Sequence, residues 1–129
     1  MSHITQVETV YTNMDDIQAA AERLGGVLVR DHRSFRAYYA TENKCDSAIQ
    51  FPGAHYEVGV RMQPDGTVRL AWDSWDTGGL SPIMGDSKGG LFTQAYALEA
   101  AKRAGRLKRY ACRETVRPDG AVELEMIAR

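Results

Sequence analysis

The stretch "YEVGVRMQPDGTVRLAWD", Tyr56 to Asp73, decides the fold because it holds two strands and the turn that joins them. Pro64 presets the backbone at the first turn position, and Gly66 accepts the positive φ that a glycine bulge requires. The resulting three-residue loop fixes which residues face each other across the hairpin. It predicts three apolar pairs: Met62 with Val68, Val60 with Leu70, and Val58 with Trp72. A loop of two or four residues would break these matches.

The closing stretch "RYACRETVRPDGAVELEMIA", Arg109 to Ala128, repeats this pattern around Pro118 and Gly120. The same turn predicts a second hairpin in which the opposed side chains are again matched in chemistry. The expected pairs are Val116 with Val122, Cys112 with Met126, and Arg113 with Glu125.

Two other segments have the periodicity of amphipathic helices. In the first, apolar residues recur at helical spacing after a capping Thr12 or Asn13, and Gly25 follows the last of them. These apolar residues are Met14, Ile17, Ala21 and Leu24.

The second helix is predicted in "GGLFTQAYALEAAKRAGRL", Gly89 to Leu107, with Asp86 or Ser87 as its cap and Gly105 as its end. Its last part belongs to the basic run "KRAGRLKRY", Lys102 to Tyr110. We interpret this run as a helix C-terminus with complementary cations. The alternative is a contact with nucleic acid or with an acidic partner.

These elements predict an α+β fold in which an antiparallel sheet has two α-helices packed on one face, with a ferredoxin-like arrangement as one option. An opening strand is expected within His3–Tyr11 and a short edge strand at Ala48–Phe51, while the strand layout of residues 30–51 stays open. Residues 1–129 are expected to form one domain. The predicted core contains Val58, Val60, Val68, Leu70, Trp72, Leu91, Ala95, Leu98, Val122 and Leu124.

Composition narrows the function classes. The formal net charge of −1 argues against general binding of nucleic acid or of a membrane surface. No apolar run approaches the roughly 20 residues that span a bilayer, and the opening residues lack the pattern of a signal peptide. Cys45 and Cys112 form no CxxC motif, and His3, His32 and His55 have no metal-ligand spacing. We therefore expect a cytoplasmic protein with free thiols, no metal and no cofactor.

The register of the first hairpin places Arg61 directly opposite Arg69, and like charges in that arrangement repel. An anion or phosphate site is one interpretation. The favoured interpretation is that Glu123 and Glu125 of the second hairpin, or solvent, neutralise the two arginines. The adjacent small pair, Gly59 and Ala71, would admit a ligand or, as we favour, a close-lying loop or helix.

The glycine-rich segment between Trp72 and Leu91 supplies further ligand-binding candidates. Asp73 and Asp76 lie beside Trp72 and Trp75, and together they would offer a carboxylate pair with an aromatic platform. Ser87 and Lys88 precede the second helix, where backbone N–H groups can face an anion. A spacer between a strand and a helix is the favoured interpretation. Four residues of the second helix are candidates for contact with a partner: Gln94, Tyr96, Arg103 and Arg106.

Four stretches together resemble the Ycf35-like proteins, a family also described as the domain of unknown function DUF1257. They are "MSHITQVET", "YEVGVRMQPDGTVRLAW", "LFTQAYALEAAKRAG" and "ETVRPDGAVELEMIAR". The resemblance implies occurrence in cyanobacteria, plastids, other bacteria and phages, and a genomic association with AAA+ ATPases of the MoxR-like kind. It supplies no catalytic residue. The segment from Trp75 to Asp86 departs from it as an expansion.

The sequence therefore favours a non-enzymatic binding or adaptor module with a protein partner, serving an AAA+ ATPase or acting within a phage–host system. The alternative is a small-molecule or nucleotide-binding protein that uses Arg61, Arg69 and the loop with Trp75. An enzyme is the third and least favoured class. Neither nucleic acid nor a membrane is an expected partner.

Overall fold

The computed structural model describes residues 4–6, 11–38, 43–85 and 89–128. Strands and helices alternate irregularly along these ranges. In chain order the elements are β1 Ile4–Gln6, α1 Met14–Arg23, β2 Val27–Arg30, β3 Ser47–Gln50, β4 Val58–Met62, β5 Val68–Asp73, a 3₁₀ turn Asp76–Gly78, α2 Ser81–Met84, α3 Gly90–Leu107, β6 Tyr110–Val116 and β7 Val122–Ala128.

Five strands form one antiparallel sheet in the order β1-β5-β4-β3-β2, and β6 pairs with β7 in a separate two-stranded sheet. We call residues Tyr110–Ala128 the hairpin arm. The predicted α+β class is confirmed. The order is not ferredoxin-like, because three strands separate β1 from β2 where a split βαβ unit has one. Strand β3 was expected at an edge and instead lies between β2 and β4.

Both hairpins have the predicted register. In the first, Met62 faces Val68, Val60 faces Leu70 and Arg61 faces Arg69. In the arm, Val116 faces Val122, Cys112 faces Met126 and Arg113 faces Glu125. The turn glycines have φ of 86° at Gly66 and 87° at Gly120, which is the conformation that the glycine-bulge turn requires.

Helix α1 begins as its sequence predicts. Asn13 is the N-cap, and its side chain accepts a hydrogen bond of 3.0 Å from the backbone N–H of Asp16. Asp15 and Asp16 lie in the first turn, where the helix dipole favours negative charge. Ile17 and its neighbours on the same stripe are buried, so the helix packs by the face that the periodicity indicates.

Helix α3 differs from its prediction at both ends. Its N-cap is Gly89, with φ of 68° and no side-chain cap, while Asp86 and Ser87 lie outside the described residues. The helix continues through Gly105, which was expected to end it, as far as Leu107. Gly105 is buried, and a Cβ there would lie only 3.2 Å from the Cys112 sulfur. A glycine is thus present in the helix because the arm packs closely against it.

The main core lies between the helices and one face of the five-stranded sheet. The predicted Val58, Val60, Val68, Leu70, Trp72 and Ala95 are buried there. Leu91 was wrongly assigned to it: its side chain is 45% exposed, and the adjacent Phe92 is buried instead. Leu98, Val122 and Leu124 are half-buried.

The other face of the sheet is covered by the described residues between β2 and β3, which include Phe35 and which we call the covering segment. The ring of Phe35 lies over Gly59, where an added Cβ would be 2.3 Å from the ring. Gly59 faces Ala71 in the register, and Ala71 and Cys45 join Phe35 in a second buried cluster. The predicted close-lying loop above the small pair is therefore confirmed.

Replacement of Gly59 by alanine tests this packing. We expect Gly59→Ala to lower the free energy of unfolding by about 1–3 kcal/mol, because the new methyl group overlaps the Phe35 ring. The measurement is urea unfolding followed by circular dichroism. The double variant Gly59→Ala/Phe35→Ala should lose less than the sum of the two single losses. Strict additivity would show that the ring does not lie on the strand.

Candidate functional site

Arg61 has partners other than the predicted ones. Its Nε donates a hydrogen bond of 2.8 Å to the Lys44 carbonyl, and its guanidinium carbon lies 5.5 Å from the centre of the Phe35 ring. Such a cation over an aromatic face is attracted to it. Arg61 also lines a depression of about 330 Å³ that includes Asp46. The arginine thus holds the covering segment in place beside the opposed Arg69.

The expected neutralisation by Glu123 and Glu125 is wrong. Glu123 forms an ion pair with Arg117, and Glu125 forms one with Arg113. Both pairs belong to the hairpin arm, whose strands form their own sheet. The register within a hairpin does not show which sheet the hairpin belongs to. The prediction assumed that both hairpins lie in one sheet.

The carboxylate of the last residue of β5 joins separate parts of the chain. Asp73 is fully buried and accepts backbone hydrogen bonds of 2.9 Å from Tyr38 and 3.0 Å from Trp75. Trp75 is half-buried. Asp76 lies in the 3₁₀ turn, but its side chain is outside the description, and so are Ser87 and Lys88 altogether. The structure therefore brings Asp73 and Trp75 together through a backbone contact.

The segment from Trp75 onward packs onto the core. Leu80 precedes α2 and Met84 ends it, and both side chains are fully buried in the main cluster. The Ser81 hydroxyl donates to the Ser74 carbonyl at 3.1 Å, and the Gly78 carbonyl accepts from the backbone of His55 at 2.9 Å. Burial of a leucine-sized side chain contributes about 1.5–3 kcal/mol. This segment is a structural part of the fold as well as a connection.

A cleft of about 330 Å³ beside the covering segment was not predicted. Its lining includes His32, Arg36, Gln50 and Glu57. The Glu57 carboxylate, 3% exposed, accepts hydrogen bonds of 2.8 Å from the Arg36 backbone and 2.7 Å from the Gln50 amide. His32 Nε2 lies 3.6 Å from it. Because Ile49 pairs with Val58, Gln50 lies next to Glu57. Only knowledge of the β3–β4 register could have predicted this contact.

Cys45 lies in the same segment and is 8% exposed. Its thiol donates to the His32 carbonyl at 3.0 Å. Burial raises the pKa of the Cys45 thiol above its ordinary value of 9.0, because the thiolate would lose its hydration.

The predicted interaction residues of α3 separate into two groups, of which the first is internal. The Tyr96 hydroxyl accepts from the Thr12 backbone at 3.0 Å, and its ring packs edge-on against Tyr11 at 4.8 Å. Arg103 Nε donates to both oxygens of the buried Asp16 carboxylate at 3.0 and 3.1 Å, and this hydrogen bonding raises the pKa of Arg103. These two side chains join α3 to the N-terminal part of the fold.

The second group faces outward. Gln94 is half-buried and lines a narrow groove of about 100 Å³. Leu98 of α3 and Val122 of the arm line the same groove, close to the turn of the arm. Arg106 is exposed in the last turn of α3 and takes part in none of the ion pairs among the described residues.

The hairpin arm packs against the helices by one face only. Glu114 of β6 joins it to them, at 2.7 Å from Arg23 and 3.7 Å from Lys102. Several large apolar side chains of this part of the chain stay exposed: Leu107, Tyr110, Val116, Met126 and Ile127. The arm is therefore the surface on which unburied apolar groups concentrate.

Comparison of the chain with protein-family models, with curated proteins and with solved structures gives no significant match. None of the helices in the described ranges combines the length and the apolar character needed to cross a bilayer. Within those same ranges, no three His, Cys, Asp or Glu side chains are grouped as ligands for a metal ion.

Arg103 and Arg106 lie one turn apart on α3 and should behave differently. We expect Arg103→Ala to lower the free energy of unfolding by about 1–3 kcal/mol, because it leaves the Asp16 carboxylate buried without its partner. Arg106→Ala is the matched control and should change it by less than about 0.5 kcal/mol. Urea unfolding measures both. Equal effects would contradict the difference in their contacts.

The buried Cys45 thiol predicts a dependence of stability on pH. Because its folded pKa is raised, its contribution is complete below the unfolded value near 9.0 and is lost as the pH rises through the folded pKa. We expect the free energy of unfolding to fall above about pH 9, and to fall less in Cys45→Ala. Cys112→Ala, which keeps the buried thiol, should fall as the unaltered protein does.

Proposed function

We propose that this protein is a non-enzymatic binding or adaptor module that contacts a protein partner through the hairpin arm. One observation carries the proposal. Nine large apolar side chains are exposed among the described residues, and five of them lie between Leu107 and Ile127. Exposed apolar groups that concentrate in one region are typical of interaction surfaces, whereas single ones are ordinary.

The open edges of the arm support the same function. Strands β6 and β7 pair only with each other in the described sheets, so the outer backbone groups of each strand have no strand neighbour. A partner segment can add to such an edge as a further strand, with backbone hydrogen bonds for affinity and side-chain contacts for selectivity. The ion pairs of Arg113 and Arg117 lie on one face and leave these edges accessible.

The buried carboxylates are engaged in contacts that stabilise the fold, which favours a binding function over a catalytic one. Asp16, Glu57 and Asp73 each accept hydrogen bonds that join distant parts of the chain. Arg61, the centre of the small-molecule alternative, is already engaged by the Lys44 carbonyl and the Phe35 ring. These contacts account for the conspicuous charged residues by folding alone, so they give less support to an enzyme or to a nucleotide-binding protein.

The resemblance to Ycf35-like proteins suggests which partner to test first. An AAA+ ATPase of the MoxR-like kind is the leading candidate, and a component of a phage–host system is the next. Both are protein partners, and both fit an adaptor that presents an exposed strand edge and apolar side chains.

Site-specific photo-crosslinking tests the proposed surface. A photoreactive phenylalanine analogue placed at Val116 or Ile127 should crosslink a co-expressed MoxR-like ATPase or another protein in the native cell. The same analogue at Val27 or Met62 is the matched control, because these exposed apolar residues lie on the five-stranded sheet. Crosslinks from the arm alone would support the proposal. Crosslinks only from the control positions, or from none of the four, would overturn it.

A further inference from the structure

Three cations at the junction of α3 and the arm have no ion pair within the described residues. Arg106 lies in the last turn of α3, Lys108 is its C-cap, and Arg109 follows before β6 begins. All three side chains are exposed.

The neighbouring cations, in contrast, have acidic partners. Lys102 lies 3.3 Å from the Glu99 carboxylate, and Arg103 is paired with Asp16. Glu114 of β6 and Glu125 of β7, the acidic residues of each strand nearest to the junction end of the arm, are already bound to other cations. The fold therefore neutralises the positive charge around this junction but leaves that of the junction itself.

The helix dipole offsets only part of this charge. A helix C-terminus is equivalent to about −0.5 elementary charge, against three cations. A surplus of roughly two to three positive charges remains, on a chain whose formal net charge is −1. Complementarity to the helix dipole therefore explains why the charge at this helix end is positive, but it does not explain why three cations lie there.

Apolar side chains lie among these cations. Leu107 is 75% exposed and Tyr110 is 37% exposed. Ile127 is 44% exposed at the same end of the arm, but it pairs with Ala111 and therefore points to the opposite strand face from Tyr110. We call Arg106–Tyr110 the basic–apolar patch. A surface of this composition complements a ligand that is both anionic and apolar.

Arg109 occupies a backbone conformation that favours glycine. Its φ of 63° lies in the left-handed region, at the position after a helix where glycine is the usual residue. An arginine there costs conformational energy that a glycine would avoid. The residue that joins α3 to β6 therefore carries a cation at a position that glycine usually occupies.

We propose that the basic–apolar patch binds an acidic segment of the partner that also carries bulky apolar side chains. This inference rests on the proposed function and specifies its partner. The affinity for nucleic acid depends on how many phosphates Lys and Arg neutralise, and the neighbouring cations that would extend the patch are paired. An acidic peptide with leucine or phenylalanine uses both the free cations and the exposed apolar groups.

Fluorescence anisotropy with synthetic probes tests the inference. A labelled peptide of alternating glutamate and leucine or phenylalanine should bind the full chain saturably. Binding should weaken by about tenfold or more when the peptide's glutamates become glutamine, and equally when its apolar residues become serine. Lack of saturable binding up to millimolar peptide would overturn the proposal. Stronger binding of oligouridylate or of phosphatidylserine vesicles than of the peptide would also overturn it.

Variants of the chain locate the binding. Lys108→Glu and Leu107→Ser should each weaken peptide binding by about tenfold. Lys44→Glu reverses an exposed charge beyond the opposite face of the sheet and should leave binding unchanged. Arg109→Gly separates binding from folding, because it should raise the midpoint of thermal unfolding while it weakens the peptide complex. Unchanged peptide binding in Arg109→Gly and Lys108→Glu would overturn the assignment.

The photo-crosslinking experiment distinguishes the two proposals. If crosslinks from Val116 and Ile127 persist in Lys108→Glu at full yield, the arm binds a partner but the patch does not select an acidic segment. If the peptide binds the patch but no arm position crosslinks a protein, the charge selectivity stands and the adaptor function fails.

Discussion

With φ of 86° at Gly66, the chain reverses between β4 and β5 in such a way that Val60 meets Leu70 and Arg61 meets Arg69. A shift by one residue would exchange the two faces of the sheet. The apolar face receives the helices, and the other face carries Gly59, which admits the Phe35 ring. Both layers of packing therefore depend on one backbone conformation.

Local rules were sufficient where the determining contacts are close in sequence. The two glycine turns, both hairpin registers and the Asn13 cap follow from neighbouring residues, and all of them could be predicted. The boundary between Leu91 and Phe92 could not, because adjacent helix positions differ by about 100° and the direction of the core depends on where the helix packs. The same holds for Gly105, whose reason is a strand sulfur that comes later in the chain.

The candidate site was less predictable than the fold. Arg61 and Arg69 were correctly placed opposite each other, yet the ring and the carbonyl that engage Arg61 come from a segment whose layout the sequence left open. Glu57 and His32 approach each other only through the sheet and the covering segment. The exposed apolar positions of the arm were not predicted either: Tyr110, Val116 and Met126 share the strand face of Cys112, and Ile127 lies on the opposite face. The cations beside Asp16, Glu99 and Glu125 are paired, whereas those of the junction form no ion pair within the ranges that the structure describes.

The position of β1 has a consequence for how the chain folds. Ile4 pairs with Asp73, whereas β2, β3, β4 and β5 each pair with the strand next to them in sequence. Strands β2 to β5 can therefore assemble as a meander, because each of them pairs with a neighbour in sequence and closes a smaller loop than the pairing of β1 with β5. The first strand must wait for the last of them, and α1 must cross the sheet before the edge closes. Because nonlocal pairing slows folding, this edge is where the barrier should be highest. Until it forms, β5 is an unpaired edge that a second unfolded chain could occupy.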